Sequence, residues 1–462
     1  MYDDTIAAIS TAVGDAGIGI VRISGPQALP VLQRVFRAVG RDATPHGEPP
    51  RFDSHRVYYG RAVDPATGAV LDEALAICML APRSYTREDV VELHCHGGPV
   101  PVQRVLLAVL QAGARLALPG EFTMRAYLNG RVDLAQAEAV ADVIRARTDR
   151  GLSLAMKGLS GQLSHQVRAA RQRLLRVLAY LEATIDFSED DIPPEDVAGP
   201  LTAVLETVDS LLATADQGII SRQGVRVAIL GRPNAGKSSL LNALLRTDRA
   251  IVTEIPGTTR DTLEEYANFS GVPVCLVDTA GIGESGDLVE RLGIERSRRA
   301  MAEADLCLLV VDASEPLRQA DLDIASSLAG KPAIIVANKS DLPPATSHEE
   351  IERLVASARV VPTSAVAAMG LDDLRQAVLE AIFSGGVVQS DELLVSSPRH
   401  KEALSRAASH LGDALGSIGA GLPADCTASD VRLAVDALGE ITGETATEDL
   451  LQTIFSHFCV GK

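Results

Sequence analysis

The segment that most restricts what this chain can fold into is Val225-Arg226-Val227-Ala228-Ile229-Leu230, followed at once by Gly231-Arg232-Pro233-Asn234-Ala235-Gly236-Lys237-Ser238. The first run reads as a buried strand, and Ser239-Leu240-Leu241-Asn242-Ala243-Leu244 beyond it has helical spacing. G-x-x-x-x-G-K-S between a strand and a helix is a phosphate-binding loop. Its glycines let the backbone N–H groups from Asn234 to Ser239 wrap an anion at a helix N-terminus. Lys237 is then placed for the β- and γ-phosphates and Ser238 for Mg2+.

Two further motifs follow in the order a GTP site requires. Val274-Cys275-Leu276-Val277-Asp278-Thr279-Ala280-Gly281 is a strand ending in D-x-x-G, which sets Asp278 near Mg2+ and the Gly281 amide near the γ-phosphate. Ile334 to Asp341 ends a strand in Asn338-Lys339-Ser340-Asp341, or N-K-x-D. The Asp341 carboxylate can accept from the N1–H and exocyclic amine of guanine, a donor pair that adenine lacks, and an unpaired carboxylate penalises the wrong base. Thr363-Ser364-Ala365-Val366 closes the base pocket after one more strand, and Ile255-Pro256-Gly257-Thr258-Thr259-Arg260-Asp261 supplies a switch with Thr259 as a second Mg2+ ligand. The nucleotide expected is GTP.

The hydrolytic parts are unusual. A Gln that orients the attacking water often follows D-x-x-G, but here the position is Ile282, which has no hydrogen-bonding group. No arginine finger is evident. Asn234 has two readings: its amide oxygen holds a monovalent cation against the phosphates, or its side chain caps the loop.

At 462 residues the chain has room for about three domains. Residues 1–130 mix apolar runs (Gly19–Ile23, Ala74–Leu80, Val90–Leu93) with Gly/Pro punctuation and a helical stretch from Pro101 to Ala112, the pattern of an α+β domain. Residues 131–222 are Ala-rich and helical, 223–384 alternate strands with helices, and 385–462 are helical again. The simplest account is a Ras-like α/β domain inserted into an all-α one. Net charge is −18, aromatics are 3% with no Trp, and no apolar run reaches the roughly 20 residues of a membrane helix. A base-stacking single-strand binder and a membrane protein are therefore disfavoured. Six cysteines without a C-x-x-C pair argue against a zinc site or disulfide frame and fit the cytoplasm.

Against that acidic background, Arg145, Arg147, Arg150, Lys157, Arg168, Arg171, Arg173 and Arg176 face one acid, Asp149. The run is either a solvated helix face or a surface for nucleic-acid phosphates. His94 and His96 flank Cys95 before Gly97-Gly98-Pro99 and read as a packed loop entry rather than a metal site. Cys459 ends the helical pattern 449–458; a lone cysteine is commonly an inert small hydrophobe, yet one close to Lys462 can be activated. The last residues read as a tethered arm.

Taken together, G-R-P-N-A-G-K-S-S-L-L-N-A-L, the stretch Ala250 to Asp261, Val289-Glu290-Arg291-Leu292-Gly293-Ile294-Glu295-Arg296 and the ending Cys459-Val460-Gly461-Lys462 resemble the MnmE (TrmE) family of tRNA-modification GTPases over essentially the whole chain. The resemblance implies that Asn234 and oxygens of Thr253, Ile255 and Thr258 bind K+ as two G domains meet, with Glu254, Pro256 and Gly257 in the same GTP-binding loop. It implies that Glu290, which alone reads as a solvated helix carboxylate, positions water in place of a glutamine. It makes residues 1–130 a tetrahydrofolate-binding and dimerisation domain. Arg22, Glu92, Arg131 and Lys462 would then contact a 5-formyl- or 5,10-methylene-tetrahydrofolate, although Glu92 alone reads as a solvent-facing strand residue. Cys459 becomes a candidate catalytic residue. The implied setting is a homodimer, joined by the FAD-containing MnmG (GidA) in a heterotetrameric or larger complex, adding an aminomethyl or carboxymethylaminomethyl group at C5 of the wobble uridine of tRNA. The absence of a G-x-G-x-x-G places the flavin on the partner. The competing expectation is a ribosome-assembly GTPase without modification chemistry.

Overall fold

The computed structural model describes residues 3–12, 14–40, 51–187, 192–248, 264–278, 299–383 and 394–462. These form two compact units, one of the described residues up to 141 with 438–462, the other of those from 142 to 437. Among the described residues no helix is long and apolar enough to cross a membrane.

The first unit is built on a seven-stranded sheet. Its strands are β1 (Ile6–Ile9), β2 (Gly19–Ser24), β3 (Phe36–Ala38), β4 (Arg56–Val63), β5 (Val70–Met79), β6 (Val90–Cys95) and β7 (Arg115–Leu116), in spatial order β3-β4-β5-β6-β2-β1-β7. Alternation of side chains sends Val21, Ile23, Ala76, Cys78, Val91 and Leu93 to one face. There they meet Val31, Leu32 and Val35 of α1 (Ala28–Val35) and Val102, Val105 and Val109 of α2 (Pro99–Gln111). The opposite face carries the cross-strand row Ala8, Arg22, Glu92, Ile77, Val57. Strands β5 and β6 are longer than their apolar runs, because pairing continues past them: Asp72 opposes Ala62, and His94 opposes both Ile20 and Leu75. His94 and Cys95 therefore close β6, and the chain enters the Gly97-Gly98 loop directly after them. The helices α3 (Glu121–Leu128) and α4 (Leu134–Arg145) follow.

The second unit opens with α5 (Asp149–Leu159), α6 (Gln162–Asp186), α7 (Ala198–Ala213) and α8 (Ala215–Gln223). Along α6 the buried positions Leu163, Val167, Ala170, Leu174, Val177 and Leu181 recur every three or four residues, so a single apolar stripe faces the neighbouring helices. Leu174 is fully buried. Leu174→Ala is expected to lower the unfolding free energy of this helical region by about 2–5 kcal/mol, because both the transfer energy and a cavity are involved; denaturant titration followed by far-UV circular dichroism measures it.

An α/β sheet follows: β8 (Val225–Leu230), α9 (Lys237–Asp248), β9 (Glu264–Phe269), β10 (Val272–Asp278), β11 (Leu306–Asp312), α10 (Gln319–Ser327), β12 (Ala333–Asn338), α11 (His348–Glu352), β13 (Arg359–Pro362) and α12 (Leu371–Ile382). The order is β13-β12-β11-β8-β10-β9, parallel except for β9. Strands buried on both faces read as continuous apolar runs, and Leu306–Asp312 is buried at every position. Leu240, Leu244, Leu374 and Val378 cover one face, Ala325 and Ile351 the other. The chain then returns to helix in α13 (Pro398–Gly419) and α14 (Ala424–Thr442).

The β9–β10 hairpin rests on the helical part of the same unit. Thr148, the N-cap of α5, accepts from the Gly151 amide and donates to the Gly271 carbonyl at 2.9 Å. The Arg147 guanidinium lies 3.3 Å from the centre of the Tyr266 ring, and Ile220 of α8 packs against the core of the sheet.

The C-terminal helix α15 (Glu448–Ser456) belongs to the first unit, where Phe455 and Phe458 pack with Leu134 and Ala137. The residues after it are tied down: Gly461 is buried, and its carbonyl accepts from Ser10 Oγ at 3.1 Å.

Candidate functional site

Two sites emerge, one in each unit. In the second, the C-terminal ends of parallel strands carry the nucleotide motifs, as expected for an open α/β sheet. The loop from Gly231 to Gly236 leaves β8 tightly. A Cβ at Gly231 (φ +150) would lie 2.4 Å from the Val310 carbonyl, and one at Gly236 (φ +95) would lie 2.1 Å from Asn338 Nδ2. Asn234 takes the left-handed conformation at φ +66 and is exposed. Lys237 is buried at the head of α9 and donates to the carbonyls of Gly231 and Arg232 at 2.7 and 2.8 Å. Burial pulls its ammonium below the usual lysine range, and the nearby Arg232 charge acts in the same direction against Asp278.

Ser238 Oγ donates to Asp278 Oδ2 at 3.0 Å, which brings the two expected Mg2+ groups together as an all-oxygen set of the kind that ion takes. Across the pocket, Asn338 Nδ2 donates to the Ala235 carbonyl at 2.9 Å and its Oδ1 accepts from Ala365 N at 3.2 Å. The base loop and phosphate loop are thereby joined. Asp341 stands exposed in the turn after Lys339, and Ser364, Ala365 and Val366 follow β13, with Val366 88% exposed.

The P-loop arginine is not a finger in waiting. Arg232 is buried, pairs with Glu315 at 2.7 Å and Asp321 at 3.3 Å, and lies 3.8 Å from Asp312. Asp312, at the end of β11, also receives Lys339 Nζ at 2.5 Å.

In the first unit, Arg22 donates through Nε and Nη2 to Glu92 Oε1 at 2.9 and 2.8 Å, on the sheet face opposite α1 and α2. His94 Nε2 lies 3.3 Å from Glu92 Oε2. Glu92 is only 15% exposed, so its strand alternation alone misplaces it in solvent. The guanidiniums of Arg22 and Arg131 each lie 5.7 Å from the Tyr85 ring centre, and Arg131 donates to the Ser84 carbonyl at 3.3 Å. Arg22 Nη1 also donates to the Gly461 carbonyl at 3.3 Å, which brings the C-terminal tail into the same cluster. Lys462 is half-buried there. Desolvation, with the Arg22 charge, lowers its pKa against the opposing pull of Glu92. Cys459 is exposed, and its carbonyl accepts from Gly120 N at 3.4 Å. Arginine and lysine beside a carboxylate held on a firm scaffold suit a ligand with N–H donors at one end and carboxylates at the other.

Comparison with known proteins decides the family. Residues 134–459 match the model of the MnmE helical domain, and residues 5–131 match that of the GTP-binding protein TrmE N-terminus. The curated "tRNA modification GTPase MnmE" of Roseiflexus sp. (strain RS-1) is 52% identical over 470 residues, that of Chloroflexus aurantiacus 53% over 461, and that of Geobacter sulfurreducens 48% over 467, each match covering 100% of both chains. The chain belongs to the MnmE family. Among solved structures, the G domain of the T. maritima FeoB iron transporter matches 34% of this chain and 99% of its own at 28% identity, with a TM-score of 0.27, too loose a superposition to bear on the architecture.

As a family member the chain is a GTP hydrolase that acts in tRNA modification, with GTP as its nucleotide. The structure gathers Asn234, Ala235, Gly236, Lys237, Ser238, Asp278, Asn338, Lys339, Ser364 and Ala365 at one edge of the sheet. Ser239 lies in the first turn of α9. Thr253, Glu254, Ile255, Pro256, Gly257, Thr258, Thr259, Thr279, Ala280, Gly281, Ile282 and Glu290 lie outside the described residues.

The sequence gives no sign of Tyr85 and Ser10 at the first site or Asp312 at the second, and does not connect His94 and Gly461 with Glu92 and Arg22. The basic run divides. Arg147 covers Tyr266 and Arg171 donates to the Val435 carbonyl, whereas Arg173 and Arg176 line an open cavity of about 450 Å³ with Tyr180.

Proposed function

We propose that this chain uses GTP hydrolysis to drive modification of the wobble uridine of tRNA at C5, with its first unit holding a tetrahydrofolate that carries the incoming carbon. The observation that carries this reading is the meeting of Arg22, Glu92, Arg131 and Lys462 on one sheet face, with residues from both ends of the chain. Glu92 would accept from the pterin amine and ring N–H, with Arg22 holding its carboxylate in place. Arg131 and Lys462 would take the glutamate carboxylates. The folate supplies a one-carbon unit when bound.

For hydrolysis, Lys237 would neutralise phosphate charge, Ser238 and Thr259 would hold Mg2+, and Asp341 would read guanine. Asn234, Thr253, Ile255 and Thr258 would hold K+ and Glu290 would orient water when two G domains meet. The exposed Asn234 side chain suits a ligand shared at such a face. A homodimer through the first unit is supported by Val57, Tyr59 and Leu75, at 53%, 50% and 39% exposure, beside the Arg22–Glu92 row on the same sheet face. The reading includes an FAD-bearing MnmG partner, a cytoplasmic location and phosphate contacts from Arg173 and Arg176.

Nucleoside mass spectrometry of tRNA from cells lacking the chain, rescued with the intact protein or Cys459→Ser, tests the reading. The intact protein is expected to restore the modified uridine, and Cys459→Ser to restore none while hydrolysing GTP normally. GTP turnover is expected to fall at least about 10-fold when Na+ replaces K+, since a cation there stands in for an arginine finger. Unmodified tRNA in the cells rescued by the intact protein would favour a ribosome-assembly role instead.

A further inference from the structure

The strand order of the α/β sheet places β11 between β8, which feeds the phosphate loop, and β12, which feeds the base loop. Asp312 ends that middle strand, in register with Asn338 of β12. It is 2% exposed, and each of its oxygens is assigned. Oδ1 accepts from Ser314 N at 3.0 Å and Ser314 Oγ at 2.6 Å. Oδ2 accepts from Lys339 Nζ at 2.5 Å and lies 3.8 Å from the Arg232 guanidinium.

Both cations belong to nucleotide loops. Lys339 is the lysine of N-K-x-D and sits in the left-handed region at φ +62, a conformation that a lysine holds only when its surroundings impose it. Arg232 is the second residue of the phosphate loop, and its other partners, Glu315 and Asp321, lie beyond the same strand end.

We propose that Asp312 is a positioning residue for GTP: by holding Lys339 while facing Arg232, it fixes the base loop against the phosphate loop, so that the guanine and phosphate halves of the pocket are pre-aligned. This rests on the nucleotide-site reading above. Asp312 acts through these two cations rather than on the nucleotide. Its effect is on binding, because a flexible lysine stem must otherwise be ordered when the nucleotide arrives. Once GTP is bound, the catalytic groups are unchanged.

Asp312→Asn keeps the size and removes the charge. In the full-length protein it is expected to weaken binding of fluorescent GDP at least about 10-fold, mainly through faster release, and to raise KM for GTP similarly. kcat at saturating GTP is expected to stay within twofold, a split that a general loss of folded protein does not produce. Lys339→Met is expected to weaken GDP binding as well, and Asp312→Asn in that background to add less than twofold. Should Asp312→Asn fail to fold, Asp312→Glu, which shifts the carboxylate by one methylene, takes its place in the cycle with the same expected coupling. Unchanged GDP release in the Asp312 variant, or effects of the two changes that simply multiply, would overturn the assignment. Asp341→Asn serves as the separate control: if it leaves base preference unaltered, the nucleotide-site reading itself fails, whatever Asp312 does.

Discussion

Replacement of Asp341 by Asn is expected to reduce GTP hydrolysis at least about 1,000-fold at limiting substrate and to make xanthosine triphosphate the better substrate. A site built to pair with substrate N–H groups rejects a mismatched analogue by roughly 10⁴–10⁵, because a desolvated polar group is left without a partner. The carboxylate of Asp341 offers two acceptors to guanine. The amide offers one acceptor and one donor, and its N–H opposes the guanine N1–H while matching the carbonyl that xanthine carries at C2. The surrounding frame stays in place, because Asn338 and Ser364 are anchored to Ala235 and Met369 without Asp341. Phosphate release measured with both nucleotides checks the result, and retention of guanine preference would remove Asp341 from base recognition.

The second large effect lies at the other end of the chain. Gly461 adopts φ +96, and a Cβ added there would come 2.3 Å from the Ile9 carbonyl oxygen and 3.0 Å from its carbon. Both atoms are backbone of β1 and cannot yield cheaply. Gly461→Ala therefore has to lift the tail, which removes the carbonyl that Arg22 and Ser10 bind and withdraws Lys462 from Glu92. Modified uridine is expected to drop at least about 100-fold, as when a reacting assembly is misplaced by an ångström or more. GTP turnover is expected to stay within twofold, because no group of the nucleotide site changes. Nucleoside mass spectrometry and phosphate release on the same preparation separate the two. Normal modification by the Gly461→Ala protein would show that the docked tail is dispensable.

The nucleotide site was legible because its signals are local. Lys237 and Ser238 sit at fixed spacing from Gly231, and Asn338 from Asp341, so the chemistry can be read within a few residues. Asp312 escaped notice for the opposite reason: it becomes a hub only when β8, β11 and β12 lie side by side. Glu92 shows the same limit in the first unit. Alternation along β6 tells which face a side chain takes, but not that Arg22, 70 positions away, will cover it. The docking of the tail is not legible, because nothing near Gly461 announces Arg22, 439 positions distant. The basic run 145–176 was divided by contacts its own spacing cannot reveal, since Arg147 finds Tyr266 and Arg171 finds Val435.

The seating of the β9–β10 hairpin on α5 has a mechanical consequence. Among the described residues its polar attachments include a hydrogen bond, Thr148 to Gly271, and a stacked cation, Arg147 on Tyr266. Each contributes about 1 kcal/mol, comparable to the difference in affinity with which a ligand shifts two states of its host. Attachments of that size behave as latches rather than welds. The hairpin's two strands run directly into the segments after Asp278 and before Glu264, so whatever pulls on those segments pulls on the catch first.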